Sequence, residues 1–456
     1  SACKISIKEG KDLEASLISI DGLVDEAVIR ESILRPLHSI MLEELPDQQL
    51  DLLREHIHVK GITRTDRFDE ALIEVLKARI LLLVDEYTKG LLIEAEDYNV
   101  RAIEEPSNEL TVRGSGEGFI ESLAVNMTMI RRRVIHPNLR FIDFELGELT
   151  KTSVVVCYLE GIADPKIVNL IHQRLNSIHI DSINNDGDIE ELIEDHPYSI
   201  FPTVGNTERP DKAANLLIEG RVVVLINGSP FALYGPMLFL ENFSNIEDYI
   251  SRPYYSSLLR LIRFLAFLLC IYGPALYLTA LNFEQNLIPS DLVVPIMQAR
   301  ELVPFPLLIE LLIAVVMFEI VREAGVSLPK QIGSALSIVG ALILGEVAVT
   351  AGLIGSPTIV VISISYIASF IITPVVDVAA LLRILFLIAS SLFGSYGIVM
   401  LSLALINHMV SLTSFGVWYM APFSPFYYKD WKDIFIRLPI RLFNFRPQRI
   451  PNRTPF

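Results

Sequence analysis

Little in this sequence supplies the parts of an enzyme or a metalloprotein. Its three cysteines, Cys3, Cys157 and Cys270, are spread over 456 residues. They offer no metal spacing, and an odd number closes no disulfide framework, so they read as ordinary thiols of a reducing compartment. No Ser/His/Asp arrangement, HExxH or CxxC is present, and His172, His179 and His196 are scattered. Basic clusters of the size that neutralises phosphates are missing from a chain of formal net charge −16, which argues against nucleic acid as a partner. No segment reads as a cleavable signal peptide. No cofactor and no metal are expected.

Net charge is also nearly missing from the second half, because the acidic residues crowd the first. With 51% hydrophobic residues and a mean hydropathy of +0.45, the chain is more apolar than an ordinary soluble enzyme. These facts predict an integral membrane protein: a soluble α/β region of two similar tandem subdomains, then an all-α polytopic membrane domain. The expected divisions are 1–105 and 140–245 for the subdomains, 106–139 for a connecting helix and hinge, 246–428 for four to six spans, and 429–456 for a basic cytoplasmic tail.

The tandem reading rests on two echoes. Leu17–Ile20 followed by Asp21-Gly22, with Asp25 capping a helix to about Leu34, matches Val154–Leu159 followed by Glu160-Gly161, with Asp164 as cap and Pro165 at the first helical position. Ile80–Val84 and Leu91–Ile93 form a predicted hairpin matched by Val222–Ile226, Asn227-Gly228 and Phe231–Leu233. Helical patterns at Phe68–Ala78 and Pro210–Glu219 precede the two hairpins. Between the subdomains, Arg113 and the glycines of 114–118 lack the Lys-Ser/Thr of a phosphate loop and read as a tight hinge. Arg132 lies in the basic run 131–133, either a solvated face or a contact with acidic neighbours or lipid headgroups. The polar run 203–212, with Asn206, Glu208 and Arg209, is a capped helix start, an inter-subunit contact or a switch loop.

Five apolar segments are long enough to cross a bilayer or nearly so: 258–281, 305–321, 333–354, 358–373 and 384–410. Gly273-Pro274 would kink the first. Arg252, Arg260 and Arg263 put the N-terminal region in the cytoplasm by the positive-inside rule, with loop 282–302 outside. Five spans would strand the basic tail (Lys429, Lys432, Arg437, Arg441, Arg446, Arg449, Arg453) on the wrong side. One segment is therefore expected to be re-entrant or uncounted, and 411–427 is a candidate to dip into the membrane and return. Intramembrane carboxylates are costly, which marks Glu310, Glu319 and Glu346. Glu319 has Arg322 three residues on; Glu310 and Glu346 have no local partner. Small residues recur every four positions at Gly333, Ser337, Ala341 and Gly345. That stripe serves close helix packing or, with Ser334 and Glu346, lines a pore.

The ordered set Val112-Arg113-Gly114, Gly118-Phe119-Ile120-Glu121-Ser122-Leu123, Ile130 to Arg133, Tyr158-Leu159-Glu160-Gly161-Ile162-Ala163, Pro202 to Lys212, Pro274 to Tyr277, Val303 to Pro306, Phe318 to Gly325, Ser337 to Gly340 and Ser414 to Val417 resembles the A subunits of spore germinant receptors, the GerA family, with their close spore membrane paralogues. The resemblance implies a multi-pass protein of the inner spore membrane in a spore-forming Gram-positive bacterium, its N-terminal region cytoplasmic. It implies a complex with a transporter-like, germinant-binding B subunit and a lipoprotein C subunit. It further implies a homo-oligomer in membrane lipid that conducts monovalent cations when germinant binds. The alternatives are a non-conducting scaffold or signal-transducing subunit and a secondary transporter; inverted repeats, the usual mark of the latter, are not found.

Overall fold

The computed structural model describes residues 2–7, 13–20, 23–24, 28–37, 57, 59, 61–85, 88–94, 106, 109, 111, 113–327, 345–439, 441 and 446–452. Its first half contains two five-stranded antiparallel sheets built to one plan. The first holds β1 (Ala2–Ile7), β2 (Leu13–Ile18), β3 (Thr63–Thr65), β4 (Arg79–Val84) and β5 (Gly90–Glu94), in the spatial order β1-β2-β4-β5-β3. The second holds β6 (Leu139–Leu146), β7 (Thr152–Leu159), β8 (Gly205–Thr207), β9 (Val222–Ile226) and β10 (Ala232–Gly235), in the order β6-β7-β9-β10-β8. Registers repeat as well: Ala15 to Ile18 pair with Val84 to Leu81, and Val154 to Cys157 pair with Ile226 to Val223. The two spacing echoes in the sequence are therefore β2 with β7 and β4 with β9.

Local chemistry accounts for these elements. Helix α1 (Phe68–Leu76) is followed in the second unit by α2 (Leu123–Arg133), α3 (Pro165–Asn176), α4 (Asp186–Ile193) and α5 (Pro210–Glu219). The Asp164 side chain accepts from the Lys166 amide at 2.9 Å with Pro165 at the first helical position, satisfying a donor that a helix start leaves open. β9 is buried along its whole length, because the second sheet is covered on both faces. One core sets Val154, Val156, Val224 and Ile226 against α3 and α4; the other sets Val155, Cys157, Val223 and Leu225 against α2 and α5. Asp25 lies outside the described residues, and Val28–Leu34 is helical with π-type hydrogen bonding.

The second half is a helical bundle: α6 (Pro253–Asn282), α7 (Ser290–Arg300), α8 (Leu307–Ser327), α9 (Ser356–Ser369) and α10 (Val376–Ser411), with a further described helical stretch at 345–350. The expected external loop 282–302 thus contains a helix, α7, with no buried residue. α6 and α10 are long and apolar enough to cross a membrane.

The fifth expected span is two helices. α10 leaves helical geometry at Gly394 (φ 61°, ψ −141°), a conformation open to glycine and strained for other residues. A Cβ built on Gly397 would overlap the carbonyl oxygen of Ala389, eight positions earlier; in a straight helix those residues are about 12 Å apart along the axis. The outgoing leg meets α6 where Phe386 packs on Tyr272, the turn sits against Phe283, and Ser402 on the returning leg is 3.0 Å from the Tyr272 hydroxyl. The chain therefore returns to the sheet end of the bundle, where His408 lies 3.1 Å from Ser199.

Of residues 411–427, Leu412 and Tyr419 join the core shared with α6 and α10 at the sheet end of the bundle. Between them lies a hairpin of β11 (Thr413–Ser414) and β12 (Val417–Trp418) whose Phe415 and Val417 join the core beneath α3 and α4. Ser414 Oγ donates to the Thr203 carbonyl at 2.6 Å and accepts from the Met237 amide at 2.9 Å. Farther on, Asn452 bridges Ala163. The tail lies on the sheet domain, the same side as the N-terminal half.

Candidate functional site

The bundle interior is organised by one backbone defect. Pro274 in α6 has no N–H, so the carbonyl of Cys270, four residues earlier, loses its helical donor. Two side chains replace it: Ser365 Oγ from α9 at 2.9 Å and Arg383 Nε from α10 at 3.2 Å. Arg383 is 1% exposed. Its Nη2 lies 2.8 Å from Cys270 Sγ, its guanidinium stacks 4.1 Å from the Tyr366 ring centroid, and its Nη1 is 3.6 Å from Glu319 Oε1. Glu319 in α8 also accepts from the Tyr366 hydroxyl and from Arg322, each at 2.8 Å, and Arg322 reaches Asp377 at 3.3 Å. Four helices are tied by this network. The Glu319–Arg322 pair follows from their spacing, but Arg383 and Tyr366 carry no local signal; Gly273-Pro274 was the clue, since a freed carbonyl needs a donor.

Glu310 has partners that its neighbours in sequence do not reveal. It is fully buried, pairs with Arg300 Nε of α7 at 3.1 Å and accepts from the Gly355 amide at 2.9 Å. Glu346 differs. It is exposed, while Gly345 and Ala348 on the same turn are buried and a Cβ on Gly345 would touch Ile359 of α9 at 3.8 Å. The small residues at this end of the stripe face inward to α9, and the carboxylate faces out of the bundle. Ser334, Ser337 and Ala341 lie outside the described residues.

A second polar cluster joins bundle to sheets. Asp248, fully buried, takes Arg260 Nε at 3.1 Å and both terminal nitrogens of Arg263, at 2.7 and 3.0 Å. Arg260 also reaches Asp433 at 2.8 Å, and Tyr249 donates to that carboxylate at 2.7 Å. Arg437 of the tail donates to the carbonyls of Ser251 and Tyr249 at 2.7 and 2.9 Å. Two of the three arginines behind the positive-inside reading, Arg260 and Arg263, are thus paired with carboxylates within the chain. Nearby, buried Arg221 pairs with Glu241, which holds the Glu241 carboxyl below its ordinary value against the opposing effect of burial.

The polar run 203–212 is mostly internal. Arg209 is 1% exposed; its nitrogens bind Asp211 at 2.8 and 3.0 Å, the Glu109 carbonyl at 3.1 Å, Thr111 at 2.9 Å and the Ser115 carbonyl at 2.9 Å. The Phe119 amide donates to the buried Glu208 carbonyl at 2.7 Å. Both residues therefore clamp the connecting segment to the second sheet rather than form a contact surface. Arg132 lies 3.9 Å from Glu117 within the chain. Asn206 and Arg113 remain exposed.

Asn206 also touches a group that titrates near neutrality. Burial, then the nearby Glu194 and Asp186, push the Glu190 carboxyl up to about 7, with the Asn206 hydrogen bond acting the other way. A raised carboxyl binds its proton more tightly when folded. Its contribution to stability is therefore present below the ordinary value near 4.5 and is lost as pH rises through about 7. Glu190→Gln is expected to leave the melting temperature at pH 5 nearly unchanged and to raise it at pH 8, measured on the full chain in detergent. An equal shift at both pH values would remove Glu190 as the cause.

Among the described residues, no three His, Cys, Asp or Glu side chains gather to hold a metal. Comparison with known proteins matches residues 2–449 to the family model described as Bacillus/Clostridium GerA spore germination protein. Spore germination protein KA of Bacillus subtilis (strain 168) is 38% identical over 98% of this chain and 82% of its own length. GerLA of Bacillus cereus is 34% identical over 97% and 91%. A B. subtilis relative named as an uncharacterized membrane protein, YfkQ, is 38% identical over 94% and 84%. The crystal structure of the N-terminal domain of the A subunit of the Bacillus megaterium spore germinant receptor GerK3 aligns with 52% of this chain and 88% of that one, at 32% identity and a TM-score of 0.42.

Proposed function

We propose, from the premise that this chain belongs to the GerA family of spore germination proteins, that it is the membrane subunit of a germinant receptor which assembles with copies of itself into a cation conduit. The transporter-like B subunit would bind the germinant, with the lipoprotein C subunit completing the complex. The conduit would open in response and release monovalent cations across the inner spore membrane. The sheet domains and tail are read as cytoplasmic. Six passes fit this arrangement: α6, α8, the sequence-read span 333–354, α9 and the two legs of α10. An even number agrees with a tail seated on the sheet domain.

The observation that carries the reading is Glu346, a carboxylate exposed on the outside of an apolar bundle. In lipid such a group is costly; between subunits it would form a ring of carboxylates around an axis, and such rings favour cations. In the assembled receptor in liposomes, Glu346→Gln is expected to lower germinant-dependent potassium flux about tenfold with assembly intact. Full flux through the variant would remove the pore role. The joint around Asp248 supports a second reading, a non-conducting subunit that only transmits a signal; normal germination without any flux would favour it.

A further inference from the structure

Arg383 sits among groups that suit a different occupant. The Cys270 carbonyl, freed by Pro274, the Ser365 hydroxyl, the Tyr366 hydroxyl and the Glu319 carboxylate converge from α6, α9 and α8. Ser365 and Tyr366 are buried, with exposures of 0% and 3%. Broken-helix carbonyls combined with a carboxylate are the oxygen ligands by which membrane proteins hold dehydrated cations. One carboxylate supplies one negative charge, which suits a monovalent ion. Among the described residues, the cation partners within 4 Å of Glu319 are Arg322, partly buried at the sheet end, and Arg383 in the interior. The guanidinium is also poorly satisfied there: Nη1 is fully buried and has no hydrogen-bond partner. It stands 3.6 Å from the carboxylate oxygen, a distance that leaves charge attraction without a hydrogen bond.

We propose that these oxygens form a monovalent-cation site which the Arg383 guanidinium fills in this state as a tethered cation. Arginine and a potassium or sodium ion then compete for one position, and the bundle keeps its internal charge balanced whichever is present. Any part the site plays in ion movement rests on the conduit reading above; the site itself does not.

The test uses the full chain in lipid nanodiscs, melted in potassium chloride and in choline chloride of equal ionic strength. The wild type is expected to melt alike in both. Arg383→Met vacates the site, and its melting temperature is expected to rise by roughly 3–6 °C in potassium over choline. Arg383→Lys, which supplies its own ammonium, is expected to show no potassium effect. Glu319→Gln/Arg383→Met, with neither charge, is expected to lose the response. A folded Arg383→Met that melts alike in both salts overturns the proposal, as does a potassium response that survives in the double variant. Should Arg383→Met fail to accumulate in folded form, methylguanidinium or potassium present during extraction is expected to recover it; recovery by neither overturns the proposal. Potassium stabilisation without flux in the assembled receptor leaves the site standing and removes the conduit. Flux without the potassium response does the reverse.

Discussion

Asp248→Ala is expected to destabilise the full chain by about 3–5 kcal/mol and to abolish the germination response of spores that carry it. The carboxylate is fully buried and neutralises two arginines of α6, Arg260 and Arg263. Removing one member of such a cluster leaves uncompensated charge in a low-dielectric setting, a larger loss than the pair was worth as a gain. Arg260 retains Asp433 at 2.8 Å, but among the described residues Arg263 keeps only the Phe243 carbonyl at 3.1 Å. The damage reaches further than stability. Asp248 lies just before α6, Asp433 lies in the tail, and Phe243 closes the sheet domain, so the cluster is where all three meet. Loss of Asp248 is expected to loosen the tail, read as faster tryptic cleavage between 429 and 449 in the purified protein. Arg263→Met combined with Asp248→Ala should recover part of the stability, because one of the stranded charges is gone. If the double variant were less stable than Asp248→Ala alone, the charge argument would fail.

The second large effect is at the turn of α10. Gly397→Leu is expected to prevent the two legs from closing, with a loss of about 3 kcal/mol or more from overpacking. The obstacle is the Ala389 carbonyl and the Phe393 side chain, and main chain cannot move aside as a flexible side chain can. The returning leg delivers the β11–β12 hairpin to the second sheet, so its displacement should also expose Phe415, which is buried against Gly235. A cysteine at 415 is expected to be protected from a water-soluble maleimide in the parent chain and labelled rapidly when Gly397→Leu is added. Gly397→Ala gives a graded control with a smaller loss. Equal labelling in the presence and absence of Gly397→Leu would show that the legs do not depend on this contact.

Much of the architecture was written in patterns a few residues long. Period-two apolar runs, Asn227-Gly228, and Asp164 with Pro165 announce strands, turn and helix start by local sterics and hydrogen bonding. The repeated offsets announced two like units, because a register that buries one face tolerates no slip. The apolar texture beyond residue 258 announced the bundle, since composition alone separates such segments from a soluble fold. Gly394 was harder to see. A glycine inside a long apolar run is common in membrane helices, and only the approach of Gly397 to Ala389 turns it into a reversal. That one turn sends the chain back along the bundle and brings the basic tail to the sheets.

The polar interior was legible only in fragments. Glu319 with Arg322 is a near-neighbour pair, and periodicity exposes it. Arg383 with Cys270, Glu310 with Arg300, and Arg260 with Asp433 join residues 113, 10 and 173 positions apart, and no local rule selects such partners. Arg209 looked like surface chemistry because charged residues usually are; its burial depends on a connecting segment folding over it. By itself the sequence determined most of the strands, the capped helix starts and the apolar texture of the second half, through interactions that span a few residues. Which charges face one another was decided only by the tertiary structure, because desolvation penalises every buried charge until the fold brings its partner within reach.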